Sequence, residues 1–149
     1  MRAFAVTLLA LCLSAGAAMA QTDQEMIWAL GEVGGELQEC SVYFLVGSSC
    51  VAPQEPALAR TSREVSDKVA GLAISTLRAA GMSDEAYAAR ASLSAEAMMK
   101  LMGGNCTNIA VLLKKYMSFC QRLSQDADPR LKEWIACFRA HQQTCAGGP

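Results

Sequence analysis

The sequence predicts an all-α fold: a small disulfide-stapled bundle of about five helices, ending in a C-terminal antiparallel helical hairpin. Three observations predict it. Apolar residues recur at helical 3–4 spacing in every segment, while β-branched alternation is almost absent. Clusters of Gly, Pro and Asn cut the chain into lengths usual for helices. Seven cysteines in 149 residues point to an oxidising compartment, where a small domain is held by cross-links. The length suits one domain. A hydrophobic fraction of 52% with a mean hydropathy of +0.20 excludes a disordered tail.

Residues 1–20 read as a secretory leader. Arg2 supplies the positive charge, residues 3–13 the apolar core, and Ala18-Met19-Ala20 the small-residue site before Gln21. The apolar core is too short to be retained as a membrane anchor. The expected mature chain is therefore a single helical domain, residues 21–149, which keeps six cysteines and discards Cys12. Its expected location is periplasmic or extracellular, with no transmembrane segment.

The first mature helix is expected over residues 24–46. Ile27, Leu30, Gly34, Leu37, Cys40 and Phe44 lie near one face, and Glu25, Glu32, Glu36 and Glu39 form an acidic stripe on another. Gly31, Gly34 and Gly35 weaken it unless it bends or another helix approaches closely. Gly47-Ser48-Ser49 with Pro53 and Pro56 predicts a loop, and Pro56 suits the first turn of the second helix. That helix has Leu58, Ser62, Val65, Val69, Leu72, Thr76 and Ala79 in heptad-like order and stops at Gly81. Ser83 caps the third helix, whose expected core face is Tyr87, Ala91, Ser94, Met98 and Leu101. After Gly103-Gly104-Asn105, the fourth helix covers residues 107–124 with Ile109, Leu113, Tyr116, Cys120 and Leu123 inward. Asp128 is expected to cap the fifth and Pro129 to fit its first turn, with Leu131, Trp134, Ile135 and Phe138 facing the core.

Six cysteines predict three disulfides, of which sequence allows 15 pairings. Cys106 and Cys120 fall on one side of the fourth helix, so a double staple of the hairpin is the first expectation: Cys120 with Cys137, and Cys106 with Cys145. Cys40 and Cys50 then tie the first helix to its loop. The rival is a crossed pattern that joins the first helix to the hairpin.

The chemistry-bearing residues favour binding over catalysis. Cys137, His141 and Cys145 have ligand-like spacing, but disulfide pairing consumes both thiols, and no metal or other cofactor is expected. Met98, Met99, Met102 and Met117 read as core filling rather than soft-metal ligands. No nucleophile elbow, Walker loop or dinucleotide-binding glycine run is present. A net charge of -1 gives no general pull toward nucleic acid or an anionic membrane. The expected function is a non-enzymatic helical module that binds an unknown protein partner or envelope component. The alternatives are a carrier of a small apolar ligand between helices and a small cell-wall hydrolase using Glu residues.

Charge is segregated along the chain. Residues 21–59 contain Asp23, Glu25, Glu32, Glu36, Glu39 and Glu55 and no Lys or Arg, whereas seven of the bases lie in residues 98–149. Two readings follow. The first helix docks on the C-terminal helices and the charges offset one another, or Glu25, Glu32, Glu36 and Glu39 stay exposed and steer a basic partner.

Overall fold

The computed structural model describes the backbone of residues 3–140 and the side chains of residues 23–140. The side chains of residues 1–22, which include the expected leader, lie outside the described residues, as do His141 and Cys145. The elements are α1 (Ala3–Val51), α2 (Pro56–Ala79), α3 (Asp84–Leu101), a 3-10 turn (Cys106–Asn108), α4 (Ile109–Gln125) and α5 (Asp128–Arg139). The all-α, disulfide-stapled bundle is thus the observed architecture, with no strand among the described residues.

Its axis is α1. Residues 40–43 are buried in succession, which requires cover on every side of the helix, and α2, α3, α4 and α5 all pack against it. The sequence expectation ended this helix at residue 46. It runs on through Gly47-Ser48-Ser49 to Val51, because Val46, Ser48 and Cys50 are buried against the bundle, and the Ser48 and Ser49 hydroxyls turn back to the Leu45 carbonyl at 2.7 and 3.1 Å. Cys50 is then held by its bridge to Cys106. The chain turns only over residues 52–55, which contain Pro53 and end just before Pro56.

Glycines in α1 permit close approach rather than a break. A Cβ at Gly34 would come within 2.6 Å of Leu77 Cγ on α2, and one at Gly35 would meet the Arg90 guanidinium from α3. Along the same seam, Ser66 donates to the Ser41 carbonyl at 2.8 Å and Ser62 to the Phe44 carbonyl at 2.9 Å. These bonds form only where the two backbones nearly touch, and α1 with α2 is the most closely packed helix pair. The small side chains of α2 therefore set its rotation. Ala59, Ser66, Val69, Ala73 and Leu77 are buried, while Leu58 and Leu72 of the expected apolar face are turned outward.

The remaining helices show the same kind of shift. Ser83 caps α3 as expected, accepting from the Ala86 N–H at 3.2 Å, and Gln38 Nε2 donates to the Tyr87 carbonyl at 3.0 Å to tie α3 to α1. Met98 and Met102 fill the core, but Leu101 lies outside it. Gly103 and Gly104 then adopt φ of +73° and +79°, which side chains resist, and so end the helix. In α4 the core residue is Leu112, and Leu113 is exposed. At α5 the capping carboxylate belongs to Asp126, whose Oδ1 accepts from the Asp128 N–H at 3.0 Å, and not to Asp128.

The disulfides follow the crossed pattern in part. Cys40 pairs with Cys120, and Cys50 with Cys106, so neither Cys40 with Cys50, Cys120 with Cys137, nor Cys106 with Cys145 forms. Cys137 is also disulfide-bonded. The physical reason is α1's length and central position. Its C-terminal half runs beside both α4 and the turn before it, so Cys40 and Cys50 each meet a partner far along the chain.

Candidate binding cleft

The acidic stripe of α1 meets the C-terminal helices. Glu36 receives Arg130 Nη2 at 2.6 Å and Nε at 2.9 Å, and both side chains are about nine-tenths buried. Arg130 Nη1 also donates to Glu133 at 2.8 Å. The guanidinium lies 4.8 Å from the Trp134 ring centroid and 5.9 Å from that of Phe119. Its hydrogen bonds to Glu36, followed by those to Glu133, hold Arg130 above the ordinary guanidinium range against the opposing effect of burial. About three turns upstream on α1, Glu25 is buried and pairs with Arg139 at 2.7 Å. Downstream, Tyr116 donates to Glu39 at 2.8 Å. Burial, with that hydrogen bond second, pushes the Tyr116 phenol well above its ordinary range.

Three of the four carboxylates named from the sequence are therefore committed to α4 and α5. Glu32, partly exposed, has no such contact among the described residues. Aromatic packing reinforces the joint: Trp28 meets Trp134 edge-on at 5.3 Å and Phe138 at 5.0 Å. Tyr43 stacks on Tyr116 at 5.8 Å.

Above this joint lies a cleft of about 550 Å³ at the elbow between α4 and α5, lined by Phe119, Arg122, Leu123, Gln125, Asp126, Pro129, Arg130 and Glu133. Phe119 and Leu123 form a buried floor, and Arg122, Gln125, Asp126, Pro129 and Glu133 an exposed rim. No protein-family model matches this chain, and neither a curated protein nor a solved structure is significantly similar to it. The cleft's chemistry must then be read from its own residues.

Asp126 and Glu133 line the cleft, yet each has structural work: Asp126 caps α5 and Glu133 pairs with Arg130. Neither is placed as a free acid or base. The cleft instead offers an apolar floor ringed by charges of both signs, which suits a side chain or short segment with an apolar body and a polar edge. Sequence reasoning missed this site. Its one legible signal was the complementary charge of the chain's two ends, which located the joint but not the elbow. Met98 and Met102 fill the core as expected of them, whereas Met117 is exposed and does not.

Proposed function

We propose that this chain is a non-enzymatic, exported helical module that binds a protein partner or another component of the cell envelope, with the α4–α5 elbow cleft as its recognition site. The observation that carries the reading is the cleft itself: about 550 Å³, open at an exposed polar rim, with a floor fixed by the Arg130 joint and by the nearby Cys40–Cys120 bridge. Residues held by packed neighbours and a cross-link lose little freedom on binding, which favours recognition. Disulfides suit an oxidising compartment, and among the described residues no helix is long and apolar enough to cross a membrane.

A carrier of a small organic ligand is the second reading, favoured by the cleft's volume, which falls within the range of small-molecule pockets. Against it stands the lining: five of the eight residues are polar or charged, four of them on the exposed rim.

The test is affinity capture from the protein's own cell envelope with the wild type and with Gln125→Trp, which places an indole across the cleft mouth. The expected result is that the variant melts as the wild type does and loses the captured partner. Retention of the same partner would move recognition elsewhere. A small molecule released from the purified wild type but absent from the variant, detected by mass spectrometry, would establish the carrier reading.

A further inference from the structure

We infer that the outer face of α4 is a docking surface for an anionic lipid membrane. The whole-chain charge of -1 conceals this face. Within α4 there are three bases, Lys114, Lys115 and Arg122, and no acid. The bundle takes Leu112, Tyr116, Phe119, Cys120 and Leu123 from the helix. At about 100° per residue, that leaves an outward arc with Lys114 near its middle, Leu113 and Met117 on one flank, and Val111, Lys115 and Arg122 on the other.

Two facts separate this arc from an ordinary solvated face. First, α4 carries no acid of its own, and the α1 carboxylates meet the C-terminal helices on the inner side of the bundle, Glu36 with Arg130, Glu25 with Arg139 and Glu39 with Tyr116. Among the described residues no base of α4 has an ion-pair partner, and Lys115 lies over the Tyr116 ring at 4.8 Å. Second, the cations are interleaved with large apolar side chains exposed by 41 to 44%, Val111, Leu113 and Met117. A soluble polyanion uses the charges alone. A lipid surface uses both, because phosphate headgroups meet the cations while the apolar side chains enter the boundary of the acyl chains.

This surface goes beyond the elbow cleft, with Arg122 at the border of the two, so the test leaves Arg122 unchanged. The oxidised protein is sedimented with vesicles of phosphatidylcholine and with vesicles in which part of that lipid is replaced by phosphatidylglycerol. Binding is expected to the anionic vesicles only, and to weaken with salt. Lys114→Glu should lower the partition coefficient about twentyfold or more, since each charge near the surface is worth roughly fivefold and a reversal counts twice. Lys114→Arg should restore it. Leu113→Ser with Met117→Ser should lower it several-fold at unchanged melting, as both positions are exposed. Equal binding to neutral vesicles, no binding to either, or indifference to Lys114→Glu would each overturn the inference. Sensitivity to Lys114 with indifference to Leu113 and Met117 would overturn it in favour of a soluble polyanion.

Discussion

Replacing Gly34 with alanine tests the close approach of α1 and α2, because helix propensity and packing push in opposite directions there. Propensity alone favours alanine by about 1 kcal/mol in a helix interior. Packing opposes it. The new Cβ would lie 2.6 Å from Leu77 Cγ, 2.8 Å from Leu77 Cδ2 and 3.3 Å from the Leu77 backbone nitrogen. Leu77 is 1% exposed, so its side chain has no solvent to swing into, and relief requires α2 to move as a body. That overpacking costs about 1 to 3 kcal/mol, which leaves a net change between neutral and about 2 kcal/mol destabilising. Gly71 is the control, since it is exposed on α2 and a Cβ there meets nothing within 4 Å. Gly71→Ala should stabilise by up to about 1 kcal/mol. The assay is urea unfolding of the oxidised protein, compared at constant slope. The two variants should differ by about 1 to 3 kcal/mol with Gly71→Ala the more stable. Equal stabilisation by both would refute the close helix contact.

Two further predictions concern the cross-links and the alkaline limb of stability. Peptide mapping of the unreduced protein should recover linked peptides containing Cys40 with Cys120 and Cys50 with Cys106. With sequence separations of 80 and 56, removal of either bridge as a paired Cys→Ala variant should cost about 4 kcal/mol by loop entropy, less than additively for both. A recovered Cys40 to Cys50 peptide would contradict the topology. Tyr116→Phe should cost about 1.5 kcal/mol at neutral pH, from the lost hydrogen bond to Glu39. Because the Tyr116 phenol ionises later in the folded than in the unfolded chain, its contribution is full below about pH 10 and is lost as pH rises further. The wild type should therefore lose stability more steeply than the variant in alkaline unfolding titrations, and parallel curves would argue against a buried phenol.

The fold class was legible because helical spacing, caps and breakers agree along most of the chain. What was not legible depends on which neighbour a helix meets. In α4 the sequence offers Leu112 and Leu113 side by side, and either register leaves an apolar face, so only docking against α1 selects Leu112. In α2 the large residues Leu58 and Leu72 define one apolar face, but close contact through Ala59, Ser66 and Ala73 decides the rotation. Gly47-Ser48-Ser49 carries loop composition, yet burial of Val46, Ser48 and Cys50 and the bridge at Cys50 keep it helical. Disulfide pairing fails for the same reason: spacing within α4 fixes which side Cys106 and Cys120 face, not which helix lies there. Of the site, the acidic stripe and its basic counterpart were visible as charge segregation. That Arg130, of seven bases, is the buried one follows from its position between Phe119 and Trp134, which sequence distance hides.

The carboxylates of α1 hold the C-terminal helices in place, and the proposed recognition surfaces lie on α4 and α5. The most direct measurement is the coupling energy between Glu36 and Arg130, obtained by urea unfolding of the wild type, Glu36→Gln, Arg130→Met and the double variant. A pair this buried should give Arg130→Met a loss of about 3 to 5 kcal/mol, because Glu36 is left charged without its partner. The coupling should exceed about 1 kcal/mol, so the double variant is markedly more stable than the sum of the single losses implies. A coupling below about 0.5 kcal/mol is that of a solvent-exposed pair. It would contradict the account and return the acidic stripe to the surface, where it would be available to steer a basic partner.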